Sequence, residues 1–167
     1  APAPDGVSVV PVESAREMLA AVEAALPAEA AVFAAAVADW RVEGASGSKM
    51  KKDGTGRPPA LALAENPDIL RFVSQMEPGR RPALVVGFAA ETDDVVENAT
   101  AKRARKGCDW IVANDVSPGT GIMGGSENAV TLVTEESAEA WPRASKAEVA
   151  ERLAARIAGR LAGEGVA

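Results

Sequence analysis

Three long apolar runs constrain the fold of this chain more than any other feature. Residues 31–38, 83–91 and 109–115 read AVFAAAVA, ALVVGFAAE and DWIVAND, with no alternation of apolar and polar side chains. A strand that is apolar on both faces must be covered on both faces, as a parallel strand is between two layers of helices. With 167 residues, the chain has room for one such domain and too little for two comfortable ones. We therefore predict a single α/β domain over residues 1–167.

Amphipathic segments between and after these runs predict the helix layers. Each segment begins near a residue that commonly caps a helix, and two of them carry the Ser-x-x-Glu spacing of a capping box. The predicted caps are Ser14, Asn66, Thr92 and Ser145. Pro27 and Gly107 are the predicted stops of the first and third helices.

Shorter apolar stretches predict further strands. VSVVPV (7–12) and ALALA (60–64) fit short strands, and NAVTLVT (128–134) with EAWPR (139–143) fits an antiparallel closing pair. The order of elements predicts a three-layer sandwich whose sheet is mostly parallel and is closed by that antiparallel pair.

Polar or aromatic residues stand where the three buried strands end. They are Asp39, the stretch from Phe88 to Glu91, and Asn114 with Asp115. In open α/β sheets, ligands bind outside the carboxyl ends of the strands. The alternative interpretation is that each of these residues only forms a turn, as Asn and Asp often do. Their joint arrival at one edge favours a binding site.

Two groups of lysines flank these strand ends. Lys49, Lys51 and Lys52 lie in a glycine-rich stretch, 41–59, that we expect to be a mobile loop, with residues 43–58 ordering over a bound ligand. Lys102 and Lys106 are four residues apart on one helix, although basic residues at a helix end are also common for dipole reasons. Together the two groups could hold a polyphosphate.

The glycine motif GTGIMG (119–124) matches the pattern of a dinucleotide-binding loop. Such a loop requires a helix directly after the glycines, so that the helix N-terminus meets the pyrophosphate. The residues that follow have a strand pattern, and we interpret the motif as a connection.

Composition excludes several classes of protein. The chain has no histidine and one cysteine, Cys108, which rules out disulfide frameworks, the usual zinc sites and histidine-based catalysis. Its net charge of −6 gives no reason to expect nucleic acid or an acidic membrane as a partner. No signal sequence or membrane span is visible, so the cytoplasm is the expected location.

Six segments, taken in order, resemble one protein family. AAAVADWR, SKMKK, NPDIL, VGFAAET, AKRARKGCDWIVAND and the later NAVTL are similar to the phosphopantothenate–cysteine ligase domain, the C-terminal half of a bifunctional coenzyme A biosynthesis flavoprotein in most bacteria. The resemblance implies a Rossmann-like fold and a homodimer. It begins after the family's first strand–loop–helix and its Arg…Asn-x-Ser-Ser-Gly segment, so we expect an N-terminally truncated ligase domain.

The resemblance also implies which residues bind CTP. The small residues Ala34 and Ala35 would let the nucleotide approach the strand, and Lys49 opens the family's K-x-K-K motif. Asp39 and Lys49 are the expected catalytic residues. The remaining CTP contacts implied by the resemblance are Phe33, Pro67, Asp68, Ile69, Leu70, Phe88, Lys102 and Lys106. Trp40 stands where the family has a tyrosine.

The family's reaction joins 4′-phosphopantothenate to L-cysteine through an acyl-cytidylate, with CTP and Mg²⁺. By the resemblance, Mg²⁺ comes with the CTP phosphates and not from a protein site. A flavin-dependent decarboxylase is an expected fused or associated partner. Two alternatives remain at this stage: a non-catalytic nucleotide-binding remnant of the domain, and a Rossmann-like oxidoreductase, for which VSVVPVESA lacks the required glycine loop.

Overall fold

A computed structural model describes residues 5–44, 60–117, 119–122 and 124–163. These residues form two compact units. One comprises Ala1–Ala24 and Ala36–Asp68, and the other comprises Ala25–Ala35 and Ile69–Ala167. The expectation that the chain is one domain stays a prediction, and each unit is described by itself.

The larger unit is built on a five-stranded mixed sheet in the order β1-β4-β5-β7-β8. Its strands are β1 (Ala30–Phe33), β4 (Leu84–Glu91), β5 (Trp110–Asp115), β7 (Val130–Val133) and β8 (Ala138–Ala140). β1, β4 and β5 are parallel, whereas β5–β7 and β7–β8 are antiparallel. The predicted buried strands β4 and β5 and the antiparallel closing pair are therefore confirmed. The prediction that the first of the three runs is buried is wrong, because β1 is an edge strand without a buried residue and Val32 is 46% exposed.

Helices cover both faces of this sheet, as apolar strands require. On one face, Val86 and Val112 pack against Val149 and Leu153 of helix α4 (Lys146–Leu161). On the other face lie α2 (Ile69–Ser74) and α3 (Val95–Lys106), which contact β4 and β5. Alternate residues of each strand point to opposite faces, so the valine- and isoleucine-rich runs fill both layers.

Helix α4 begins with a complete capping box, as predicted. Ser145 accepts a hydrogen bond from the Glu148 backbone at 3.2 Å, and the Glu148 carboxylate accepts one from the Ser145 backbone at 2.9 Å. The Ser145 hydroxyl also donates to the Glu148 carboxylate at 2.7 Å, and this bond, together with the one from the Ser145 backbone, lowers the pKa of Glu148. A short pair of strands, β6 (Glu127–Asn128) with β9 (Ala144–Ser145), leads into this cap.

An arginine joins the amino-terminal side of the sheet to the helix ends. Arg81 donates to the carbonyl of Ser74 at 2.8 Å and to the Asp109 carboxylate at 2.8 Å. Asp109 in turn accepts the backbone N–H of Val85 at 2.7 Å. One side chain thereby ties α2 to the beginnings of β4 and β5.

The smaller unit contains helix α1 (Ala15–Ala25), except for its last residue, and a two-stranded antiparallel ribbon of β2 (Trp40–Val42) and β3 (Leu63–Glu65). Ser14 accepts the Glu17 backbone N–H at the start of α1, as expected, and the Glu17 carboxylate accepts the N–H of Glu13. The helix ends at Ala25, before Pro27.

Three predicted elements differ from the structure. VSVVPV is not a strand, because no neighbouring strand pairs with it among the described residues, and β propensity alone does not form a ladder. The strand predicted over 31–38 ends at Phe33, since the alanine-rich residues after it favour a strand weakly. ALALA contributes β3 to the separate ribbon and not to the main sheet.

Two predicted helix caps are also wrong. Helix α2 begins at Ile69, after Asn66, whose side chain is bonded elsewhere. Helix α3 begins after Asp94, which has left-handed backbone angles and makes no side-chain cap, so Thr92 is not the cap. The predicted end of α3 at Gly107 is confirmed, with Gly107 in the left-handed conformation that favours glycine.

Candidate functional site

The carboxyl ends of three parallel strands form an uneven edge in the larger unit. Phe33 ends β1 opposite Gly87, whereas β4 and β5 continue together to Glu91 and Asp115. The stretch of β4 from Phe88 onward therefore has no β1 partner, and Ala34 and Ala35 follow β1 as exposed residues. The structure thus places four predicted site residues at one step in the sheet: Phe33, Ala34, Ala35 and Phe88.

A lysine is fixed at this step. Lys102 of α3 donates from its Nζ to the carbonyl oxygen of Phe88 at 2.9 Å. Both residues are half-buried, and the Phe88 ring packs against the core beneath α4. An ammonium group has three donors, so this one bond leaves capacity for an anion. The predicted juxtaposition of Lys102 with the end of β4 is confirmed, while its contact with a nucleotide stays a prediction.

Lys106 lies one helical turn, about 6 Å, beyond Lys102 on α3. It is the last residue of the helix and directly precedes the C-cap Gly107. This position also suits the general preference for basic residues at a helix C-terminus. Its predicted role in binding CTP stays a prediction.

The end of β5 supports the turn-forming alternative. Asp115 accepts the backbone N–H of Ser117 at 2.8 Å, a local bond typical of an Asx turn, and the Ser117 carbonyl accepts the Thr120 hydroxyl at 2.9 Å. The hydrogen bonds with Ser117 lower the pKa of Asp115. The Asp115 carboxylate therefore organises the turn after β5.

In the smaller unit, Asn66 connects two predicted site segments. Its side-chain amide donates to the Ala38 carbonyl at 2.9 Å, and its backbone N–H donates to the Asp39 carbonyl at 2.7 Å. Pro67 and Asp68 follow directly, so Asp39 and the start of NPDIL are held beside each other. Asp39 is exposed and precedes β2, and it does not end the buried strand as the sequence had suggested.

The rest of NPDIL belongs to α2 and packs inward. Ile69 is only 5% exposed, so its side chain is a core residue and can serve a ligand only through its backbone. Leu70 lies over Gly87 of β4, a close approach that sequence reasoning missed. A glycine inside a buried strand is the signal that could have indicated it.

Three predicted lysines, Lys49, Lys51 and Lys52, lie outside the described residues. They belong to the connection between β2 and β3, as do residues 43–59 of the stretch predicted to be a mobile loop. The predicted start of that loop at residue 41 is wrong, because Arg41 and Val42 belong to β2, and the mobility of the loop stays a prediction.

The glycine motif at 119–124 leads into strands and not into a helix. Arg143 donates to the Thr120 carbonyl at 3.0 Å and to the Glu127 carboxylate at 2.9 Å, which fixes this connection beside β6. The prediction that a strand follows this motif is confirmed.

The described residues contain no group of three or more acidic or cysteine side chains placed to hold a metal ion. Within the same part of the chain, no helix is long and apolar enough to cross a membrane.

Helices on both faces of a sheet, and parallel strand ends that meet at one edge, define an α/β sandwich of the Rossmann-like class. A family profile described as "DNA/pantothenate metabolism flavoprotein C-terminal domain" matches residues 1–161. The chain belongs to this family, which confirms the resemblance seen in the sequence.

Curated relatives carry the name "Coenzyme A biosynthesis bifunctional protein CoaBC". The protein from Mycobacterium tuberculosis (strain H37Rv) is 39% identical over 168 residues, covering 96% of this chain and 40% of the relative. The protein from Vibrio cholerae is 37% identical over 153 residues, covering 91% of this chain and 38% of the relative. The chain thus spans about two fifths of the length of these relatives.

Solved structures agree on the fold. The crystal structure of the C-terminal domain of a CoaBC protein matches with a TM-score of 0.73 at 30% identity, covering 98% of this chain and 70% of that one. A flavoprotein from Streptococcus pneumoniae described by the same family name matches with a TM-score of 0.74 at 19% identity, covering 95% and 76% of the two chains. The predicted Rossmann-like fold is confirmed.

Proposed function

We propose that this chain is a CTP-dependent phosphopantothenate–cysteine ligase domain of coenzyme A biosynthesis. Membership of a pantothenate-metabolism family supports it, together with relatives named for coenzyme A biosynthesis. The observation that carries the proposal is the uneven sheet edge, where exposed small residues follow β1 and the Lys102 ammonium group is bonded to the neighbouring end of β4. This is the edge at which α/β sheets bind ligands.

The proposed reaction has two steps. The carboxylate of 4′-phosphopantothenate attacks the α-phosphorus of Mg²⁺-bound CTP, an acyl-cytidylate forms and pyrophosphate leaves. The amine of L-cysteine then attacks the acyl carbon, CMP leaves, the amine loses a proton and an amide remains. Neither step requires a protein nucleophile, so the absence of histidine from the sequence does not oppose this chemistry.

The first step brings a carboxylate to a triphosphate, and both are anions. A protein with a net charge of −6 must therefore place cations locally. Lys102 is held at the end of β4 and would meet a phosphate oxygen, and Lys106 and Lys49 would add charge. Mg²⁺ would enter bound to the CTP phosphates, as part of the substrate.

Binding of the nucleoside would rest on small and backbone groups. Phe33, Ala34 and Ala35 would line the approach at the end of β1, with Phe88 beside them. Asp39 and the segment from Pro67 to Leu70 would provide the remaining contacts. Carbonyl and N–H groups can distinguish cytosine from adenine, because unmatched polar groups strongly disfavour the wrong base.

Two partners belong to the proposal. The fused architecture of the named bifunctional relatives supports a flavin-dependent decarboxylase as a covalent or associated partner. We also propose a homodimer in the cytoplasm.

A pyrophosphate-release assay with CTP, 4′-phosphopantothenate and cysteine tests the proposed function. It is performed on this chain and on a version extended upstream, with mass spectrometry of the product and ATP as the control nucleotide. We expect release that depends on phosphopantothenate, prefers CTP and yields phosphopantothenoylcysteine when cysteine is present. CTP binding without turnover by either protein would favour the non-catalytic alternative, and no binding would refute the assignment.

A further inference from the structure

Gly87 occupies the most crowded glycine position in the main sheet. A Cβ built on it would lie 2.6 Å from Leu70 Cδ2 and 2.9 Å from Ile111 Cδ1. Carbon atoms in favourable contact are about 3.5–4.0 Å apart. The Leu70 side chain thus rests directly on the β4 backbone, and a side chain at position 87 would require its terminal carbons to move.

The backbone of Gly87 does not itself require glycine. Glycines with left-handed φ angles occur elsewhere in the chain, but Gly87 is not one of them. It pairs in register with Phe33 on one side and Ile111 on the other, in ordinary strand geometry. The need for glycine at this position is therefore one of space between β4 and α2.

The space between Gly87 and Leu70 matters because Leu70 belongs to a segment that is proposed to contact the nucleotide. Ile69 and Leu70 form the first turn of α2 and directly follow Pro67 and Asp68 in the chain. The depth at which Leu70 packs sets how far this turn stands from β4. Gly87 is also the last residue of β4 that pairs with β1, one position before Phe88. The packing contact thus lies at the step in the sheet edge.

We infer that Gly87 is a positioning residue for the nucleotide: it sets the distance of the first turn of α2 from the end of β4. The inference rests on the proposed function, in which that turn contacts CTP. A Cβ at position 87 would displace the terminal carbons of Leu70 by about 1 Å to restore normal contact, and we expect the first turn of α2 to move with them. A misplacement of that size can cost as much as about a hundredfold in rate.

The test begins with Gly87→Ala in the protein at its natural full length, measuring KM for CTP and kcat by pyrophosphate release. We expect KM for CTP to rise at least tenfold, with a smaller change in kcat and in KM for cysteine. Val112→Ile is the matched control, because it adds one carbon to the opposite, α4-facing layer of the same sheet. It should lower thermal stability without changing KM for CTP.

Two double variants distinguish an effect on the position of α2 from an effect on the stability of the protein. Gly87→Ala with Ile111→Val removes the atom 2.9 Å away but keeps the clash with Leu70, so it should regain stability and retain the raised KM. This double variant also allows the test to be performed if Gly87→Ala alone fails to fold. Gly87→Ala in a Leu70→Ala background removes the 2.6 Å clash, so there the added methyl should change KM less than threefold.

The outcomes are distinguishable. A parent protein without CTP-dependent pyrophosphate release would refute the proposed function, and the positioning role with it. An active parent whose Gly87→Ala/Ile111→Val variant keeps the KM of Ile111→Val would refute the positioning role alone. Equal increases in KM for Gly87→Ala and for Val112→Ile would show that general stability is responsible, which would also overturn the inference.

Discussion

Replacing Lys102 by glutamine tests the proposed phosphate contact at the sheet edge. In the structure, the Lys102 ammonium is 2.9 Å from the Phe88 carbonyl and half-buried, so its position is fixed before any ligand arrives. Ordering a free lysine side chain costs as much as about 2 kcal/mol of conformational entropy. Because the bond to Phe88 already restrains Lys102, only part of that cost remains when a ligand binds. Glutamine keeps a donor near the carbonyl but removes the positive charge.

The expected effect follows from the strength of charged hydrogen bonds. A hydrogen bond to a charged group contributes about 1.5–3 kcal/mol, which corresponds to roughly one to two decades in a rate or binding constant. We therefore expect Lys102→Gln to lower kcat/KM for CTP by about 10- to 150-fold. Stability should fall by only about 1 kcal/mol, because glutamine keeps a donor near the Phe88 carbonyl and only weakens that bond.

The assay is pyrophosphate release at several CTP concentrations, paired with thermal unfolding. Lys146→Gln is the matched control, because it removes the same charge from an exposed position at the start of α4. A long-range effect of charge would be similar for both variants and would fade at high ionic strength. Lys102→Gln with kcat/KM within twofold of the parent would refute the phosphate contact.

Four further results are expected. Lys49→Gln should slow acyl-cytidylate formation at least tenfold in quenched flow, with a nearly unchanged melting temperature. A rate equal to that of the parent would indicate that Lys49 is an ordinary solvated lysine. Ser145→Ala should cost about 1 kcal/mol in urea unfolding, because it removes the capping box of α4. Arg81→Met should cost about 2–3 kcal/mol in the same assay, since several carbonyls and Asp109 lose their donor. Burial raises the pKa of the Cys108 thiol, so the protonated thiol's stabilising contribution is present below the ordinary value of about 8.5 and is lost as pH rises through the folded pKa. The parent should thus lose stability relative to Cys108→Ala as the pH rises above about 8.5, and parallel pH curves for the two proteins would contradict this.

The buried strands and the ends of two helices could be predicted because their signals are local. The apolar runs that became β4 and β5 required cover on both faces, and Gly107 ends α3 through its own backbone freedom. The capping box at Ser145 needs only residues within one turn. In each case neighbouring residues suffice to specify the structure.

The predictions from sequence were wrong where the structure of a residue depends on a partner that is distant in the chain. Asn66 has the composition of a helix cap, but its amide bonds the Ala38 carbonyl, 28 residues away in the chain. VSVVPV has strand propensity but no pairing partner among the described residues. The glycine within β4 indicates a close approach, but that Leu70 makes it depends on how a helix packs across the sheet. Lys102, by contrast, was found because lysines four apart face one side of a helix.

Isotope transfer from the acyl substrate tests the proposed reaction most directly. 4′-Phosphopantothenate labelled with ¹⁸O in its carboxylate is incubated with CTP, Mg²⁺, cysteine and the enzyme, and the nucleotide product is analysed by mass spectrometry. Attack of the carboxylate on the α-phosphorus predicts CMP that carries one ¹⁸O atom, together with unlabelled pyrophosphate. Labelled inorganic phosphate with CDP, or CMP without label, would contradict the acyl-cytidylate route.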